Sequence, residues 1–256
     1  MAEEYLLEVK HLKKVFSRKR SRVIAVDDIN FKISSGQCFS LIGESGSGKS
    51  TAANMIAGLL DITEGEVIFN KKTLPDKSCQ KGFYLRDEMQ MVFQNPLSSF
   101  SPKMTVLYSI CEGLRYRSHM TRSDMTHKAY ETLEMVGLKK DYANRFCSEL
   151  SGGECQRVAI ARAIVSNPKL LICDEVTNAL DVSVQAQVLQ LLLRLKQDLN
   201  LSYLFISHDI ALVSNISDRI AVMKEGNIVE EGVPEEIINH PKHPYTDILI
   251  RSAQMG

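Results

Sequence analysis

The period of the apolar positions changes repeatedly along the chain, and each change marks an element. Tyr5-Leu6-Leu7-Glu8-Val9 is apolar and partly alternating, which predicts a strand. The basic stretch from Lys13 to Arg20 reads as a loop or hairpin tip. Residues 23–26 and 29–33 read as short strands, with Ser35-Gly36 as a turn. The run Cys38-Phe39-Ser40-Leu41-Ile42 predicts a buried strand, and residues 52–60 a helix. Residues 66–69 and 91–93 read as further strands, the second ending at Gln94, with polar loop at 71–78 between them. Prolines and serines make 96–102 irregular. Helices are predicted over 106–116 and 125–137, the latter stopped by Gly137, and over 154–166, stopped by Pro168. Leu170-Leu171-Ile172-Cys173 is a fully apolar strand running into Asp174-Glu175. Residues 183–198 carry Val184, Val188, Leu191, Leu192 and Leu195 on one helical face. Tyr203-Leu204-Phe205-Ile206-Ser207 is another buried strand, ending at His208-Asp209. A hairpin over 219–231 and short helices at 234–239 and 246–251 close the chain.

The chain has 256 residues, enough for one large α/β domain, or a core with a small subdomain. Its 31 basic and 31 acidic residues give a formal net charge of +0, so no basic excess points to a nucleic-acid partner. Six cysteines (Cys38, Cys79, Cys111, Cys147, Cys155 and Cys173) include no CxxC pair, which argues against structural zinc or an iron–sulfur site and fits a reducing cytosol. The acidic N-terminus carries no apolar signal segment, and no apolar run approaches the ~20 residues of a membrane span. The expectation is a chain soluble by itself, reaching a membrane only through a partner.

The strongest chemical signal is Gly43-Glu44-Ser45-Gly46-Ser47-Gly48-Lys49-Ser50-Thr51, set between a strand and a helix. Glycines let successive N–H groups point at one centre, and the helix start adds a positive dipole end. This cradle suits the β and γ phosphates of a nucleotide, with Lys49 adding charge and the Ser50 hydroxyl ligating Mg²⁺. Asp174 ends an apolar strand and fits the second Mg²⁺ element, and Glu175 is the natural general base for an attacking water. His208 and Gln94 end neighbouring strands. The imidazole can sense phosphate and orient the base, and the neutral amide can accept from a metal-bound water. Leu150-Ser151-Gly152-Gly153-Glu154 reads as a helix N-cap with a reciprocal capping box, and its bare glycine amides also suit an anion. A second phosphate cradle in a chain that already has one suggests a nucleotide held between two subunits.

Taken together, these motifs resemble those of the nucleotide-binding subunits of ATP-binding cassette (ABC) transporters, over essentially the whole chain. The resemblance implies that 43–51 is the Walker A loop and that Gln94 is the Q-loop glutamine, a Mg²⁺ ligand. It implies that 150–154 is the family signature, with Ser151, Gly152 and Gly153 facing a partner's nucleotide. Walker B is 170–174, Glu175 is the catalytic glutamate, 179–181 is the D-loop and His208 is the switch histidine. Phe16 stands where the family places a ring on adenine, the lesser alternative being a hairpin core residue. The fold implied is a P-loop NTPase core of the ABC ATPase type, with an antiparallel β subdomain and an inserted α-helical subdomain. Residues 1–94 and 151–256 form the core with its tail, and 95–150 the helical insertion.

The stretches 94–105 and 181–187, and the tail Pro241-Lys242-His243-Pro244-Tyr245-Thr246, resemble the import ATPases for oligopeptides, dipeptides and nickel. Val176-Thr177-Asn178 departs from the proline and serine that often follow the catalytic glutamate. The absence of a cysteine-bearing tail favours the shorter, nickel- or metallophore-like form, with a short peptide-type subunit as the alternative. The implied machine hydrolyses ATP with Mg²⁺ and pairs with a second ATPase, identical or related. It adds two permease subunits and an extracytoplasmic substrate-binding protein, and works as a peripheral protein on the cytoplasmic membrane face. An exporter ATPase and a non-transport member, regulatory or working in translation or repair, are the alternatives.

Overall fold

The computed structural model describes residues 4–18, 21–74, 87–114, 120–178 and 180–254. Residues 1–3, Lys19, Arg20, Cys79 with the rest of 75–86, Tyr116 within 115–119, Ala179, and 255–256 lie outside the described residues, so the expectations that fall on them are not taken further. The chain divides into two compact units, Met1–Tyr84 with Ser202–Gly256, and Leu85–Leu201.

In the first unit, β1 (Tyr5–Arg18) and β2 (Ser21–Ser34) form one long antiparallel hairpin. The sequence pattern reads as separate short strands because the ladder changes register between Val9 and Lys14. His11 and Asp28 adopt positive φ of 50° and 56°, and their side chains meet at 2.7 Å. Each irregularity moves the apolar alternation to the other face. The basic stretch is therefore strand as far as Arg18, where the hairpin pairing reaches Arg18 opposite Ser21, rather than loop. β4 (Glu64–Phe69) pairs with β1, and β5 (Lys72–Thr73) pairs with β4 where the sequence reads as loop.

The second sheet of this unit sets β3 (Cys38–Ile42) between β8 (Ser202–Ser207) and β9 (Arg219–Lys224), all parallel, with β10 (Asn227–Gly232) antiparallel to β9. β3 and β8 are buried at every residue, which explains their unbroken apolar runs. Phe31 of β2 stacks on Phe39 of β3 at 4.8 Å, and each fully buried side chain of this size contributes about 1.5–3 kcal/mol. Helix α1 (Lys49–Ile56) follows β3.

In the second unit, β6 (Met89–Val92) and β7 (Leu170–Asp174) pair in parallel, Val92 opposite Cys173. Helices α2 (Val106–Glu112), α3 (Arg122–Met135), α4 (Gly152–Ile164) and α5 (Val182–Leu199) complete it. α3 begins three residues before its first apolar position, because Thr121 and Asp124 form a capping box there. Arg162, in the last turn of α4, donates to the Ser99 carbonyl at 2.7 Å and the Ser99 hydroxyl at 2.8 Å. Its guanidinium also lies 4.3 Å from the Phe100 ring centroid.

Back in the first unit, α6 (Ile210–Ile216) has no counterpart in the sequence prediction, although Asp209 caps it by accepting from Leu212 N–H at 3.0 Å. α7 (Pro234–Asn239) and α8 (Pro244–Gln254) end the chain.

Candidate nucleotide site

Residues 43–51 join β3 to α1 through backbone that side chains would obstruct. Gly43 has φ 149°, and a Cβ there would lie 2.2 Å from the Met223 carbonyl oxygen. Gly48 has φ 106°, and a Cβ there would lie 2.3 Å from the Ala25 carbonyl oxygen. The loop is braced from outside, because Gly226 N–H donates to the Ser47 carbonyl at 2.9 Å. Lys49 is 4% exposed, and its ammonium donates to the Gly43 and Glu44 carbonyls at 2.7 Å each and to Ser47 Oγ at 3.2 Å. Gly48 offers no side chain to cap α1, and no acidic residue stands in its first turn. A helix start built this way favours an anion. Ser50, at the second helical residue, is exposed.

His208 directly follows β8. The parallel register sets Ser207 beside Ile42, so His208 leaves the sheet at the same edge as Gly43. The histidine is exposed. Phe16 is 41% exposed, so it is not a hairpin core residue, and the Lys14 ammonium lies 5.2 Å from its ring centroid.

In the second unit, the β6–β7 pairing brings Gln94 and Glu175 together. Gln94 Nε2 donates to Glu175 Oε2 at 2.6 Å. Asn178 Nδ2 donates to the same oxygen at 2.8 Å, and Asn178 N–H reaches the Glu175 carbonyl at 3.2 Å. Glu175 itself has φ 50°, a conformation that costs a non-glycine residue about 1–3 kcal/mol. The two amides offset that cost and fix the carboxylate direction. Asp174, the last residue of β7, is buried at 9% exposure. Asn178 was visible in the sequence only as a departure from the family pattern, and the structure assigns it this contact. Gln185 was likewise only part of a resemblance. Its Nε2 donates to the carbonyls of Thr177 and Leu180 at 3.1 Å each, holding the turn after β7.

Ser151 caps α4. It accepts from Glu154 N–H at 3.4 Å, while Glu154 Oε2 accepts from Ser151 N–H at 2.8 Å and Ser151 Oγ at 2.9 Å. Tyr142, which the sequence reading did not single out, donates its hydroxyl to Glu154 Oε1 at 2.6 Å. This bond, with the Ser151 donors, holds the Glu154 carboxyl below the usual range. Gly153 packs so closely on α5 that a Cβ would lie 2.5 Å from Val184 Cγ1. Behind it, burial pushes the Cys155 thiol up to about 12.

Among the described residues, no group of three or more His, Cys, Asp or Glu could hold a metal ion, which includes the histidines of the tail. No helix of the described residues is long and apolar enough to cross a membrane.

Residues 26–178 match the profile of the ABC transporter family. The chain is 46% identical over 249 residues to the oligopeptide transport ATP-binding protein OppF of Bacillus subtilis, covering 96% of this chain and 82% of that protein. It is 43% identical over 258 residues to OppF of Haemophilus influenzae, covering 97% and 78%. Among solved structures, it resembles the dimeric post-hydrolysis ATP-binding cassette MJ0796 bound to ADP and Pi, with TM-score 0.80 and 31% identity over 89% of this chain and 98% of that one. It also resembles cbiO1 of Clostridium perfringens, part of the complex cbiONQ, with TM-score 0.82 and 27% identity over 99% and 96%. These likenesses carry the P-loop NTPase fold of an ABC ATPase, with its mixed sheet core and helical subdomain. With a phosphate loop, a restrained glutamate after β7 and a capped signature helix in one chain, the chain belongs to the ABC transporter family and is one of its ATPases.

Proposed function

We propose that this chain is the ATP-hydrolysing subunit of a membrane importer of oligopeptides. The observation that carries the reading is the 46% identity to an oligopeptide transport ATPase, which spans 96% of the chain. It favours peptides over nickel or metallophore cargo, and import over export.

The nucleotide lies on residues 43–51, with Lys49 and the loop amides neutralising phosphate charge. Loop geometry supports this, since Gly43 and Gly48 take positive φ and pack against the Met223 and Ala25 carbonyls where a side chain would not fit. The residues that would hold Mg²⁺ are Ser50, Gln94 and Asp174, an oxygen donor set that suits this ion. When bound, Mg²⁺ screens phosphate charge. Glu175 polarises the attacking water, His208 orients that water and the base, and Phe16 stacks on the base of the nucleotide. Ser151, Gly152 and Gly153 serve the nucleotide of a second ATPase, identical or related, so two subunits close on ATP and reopen after hydrolysis. The helical segment 95–150 carries that motion to two permease subunits on the cytoplasmic membrane face, and an extracytoplasmic binding protein delivers the cargo. No nucleic acid takes part.

Glu175→Gln tests the chemistry. Turnover is expected to fall by about 10²–10⁴-fold while ATP binding is retained, and normal steady-state turnover would remove Glu175 from this role. Loss of the subunit tests the cargo. Growth on defined oligopeptides should stop, and unchanged uptake would overturn the peptide reading.

A further inference from the structure

The tail from Pro241 to Thr246 marks a resemblance, yet the reaction above gives it no task. Its course in the first unit suggests one. Two backbone N–H groups of the tail, Lys242 at 2.9 Å and His243 at 3.0 Å, donate to the Glu230 carboxylate on β10. Tyr245 N–H donates to His243 Nδ1 at 3.2 Å, so the turn into α8 is held from both sides. Tyr245 is only 7% exposed, and the Lys224 ammonium lies 4.9 Å from its ring centroid. From this position the Tyr245 hydroxyl accepts the Glu44 backbone N–H at 3.2 Å.

Glu44 N–H belongs to the same peptide plane as the Gly43 carbonyl. That carbonyl is one of the oxygens gripped by Lys49, at 2.7 Å. One planar unit is thus held at its two ends, by Tyr245 through its hydrogen and by Lys49 through its oxygen. Rotation of this peptide would turn the carbonyl away from Lys49. The glycine at position 43 offers little resistance to such rotation.

We propose that Tyr245 is a positioning residue for the phosphate loop. Its hydroxyl fixes the Gly43–Glu44 peptide, and so the C-terminal segment sets how tightly the loop takes a nucleoside diphosphate or triphosphate. The inference rests on the reading of residues 43–51 as the nucleotide loop. Tyr245 touches no reacting atom in this scheme. It acts through Glu44 and Lys49.

The test uses the full-length chain and ADP. Tyr245→Phe keeps the ring and removes only the acceptor. ADP affinity is expected to fall about five- to tenfold, the scale of one lost hydrogen bond that leaves its donor unmet, and KM for ATP should rise more than kcat falls. Hydrogen exchange supplies a readout that packing alone does not move. The Glu44 amide should exchange faster in the variant, while the Gly226 amide, bonded to Ser47, should not. Unchanged Glu44 exchange overturns the inference, whatever happens to affinity. Wild-type ADP affinity in Tyr245→Phe also overturns it, provided Lys49→Ala binds ADP weakly. If Lys49→Ala binds ADP as well as wild type, the nucleotide-loop reading fails instead, and this inference falls with it.

Discussion

Helix α1 starts at Gly48, which has no side chain to cap it, and no carboxylate stands in its first turn. Helix α4 starts at Ser151 with a complete capping box, whose Glu154 is held in turn by Tyr142. Both starts are glycine-rich, and the sequence reads both as anion cradles. The structure separates them. The start of α1 is electropositive and is tied by contacts to its own loop, such as Lys49 on the Gly43 and Glu44 carbonyls. The start of α4 already has an anion of its own, the Glu154 carboxylate. A phosphate arriving there competes with a built-in acceptor for the Ser151 hydroxyl. The first cradle is therefore open to an anion on its own, whereas an anion at the second must displace the Glu154 carboxylate from the Ser151 hydroxyl.

The largest test of this contrast compares Lys49→Ala with Ser151→Ala. Lys49→Ala should weaken nucleotide binding by about 100-fold, the scale of a lost charged donor in a dry site. Ser151→Ala should cost roughly 1 kcal/mol of stability as a lost cap and reduce turnover, with little effect on binding by the isolated chain. Equal losses of affinity in the two variants would erase the distinction. Calorimetric titration with ADP decides it.

A smaller effect probes how α4 is seated. In Gly153→Ala the new methyl would lie 2.5 Å from Val184 Cγ1. Overpacking of this kind costs about 1–3 kcal/mol. Thermal melts should show the loss, and adding Val184→Ala should restore most of it. A double variant no better than the single one would mean that the strain lies elsewhere.

The pH dependence is smaller again. The Glu154 carboxyl sits below its ordinary range, chiefly through the Tyr142 hydroxyl and then the Ser151 donors. Stability from a lowered carboxyl pKa is complete above the unfolded value, ~4.3, and disappears as pH falls through the folded one. Melting temperature should therefore fall on acidification below about pH 4.3, and less steeply in Glu154→Gln. The same acid slope in wild type and variant would remove Glu154 from the account. The least effect concerns Cys155, whose thiol burial pushes up to about 12. At pH 8 iodoacetamide should leave it unmodified in the native protein and label it once the chain is unfolded.

Elements that alternate on one period were legible in the sequence. The apolar runs of β3, β7 and β8 are buried throughout, so their composition states their position. The residues at the ends of β7 and β8 follow from that placement, and so Asp174, Glu175 and His208 could be named early, as could Gln94 just beyond the shorter β6. The β1–β2 hairpin was not legible as one element, since register shifts scramble the alternation. Tyr142, Asn178, Gln185 and Tyr245 could not be assigned roles from spacing, because each acts through one or two directed hydrogen bonds to groups distant in sequence or on a tight turn. Asn178 left a trace as an unusual residue after Glu175, and Tyr245 as part of a tail. Nothing periodic marks a side chain whose value is one directed donor or acceptor.

The clamp of Arg162 on Ser99 turns α4 into a lever. The helix is 13 residues long, about 20 Å at ~1.5 Å per residue. Its last turn grips the segment that begins just after Gln94, and Ser151 caps its other end. A packed helix bends little over that length, so a nudge at Ser99 arrives as a displacement at the capping box. The segment that follows Gln94, whose amide touches Glu175, and the Ser151 hydroxyl are thus tied to opposite ends of one helix.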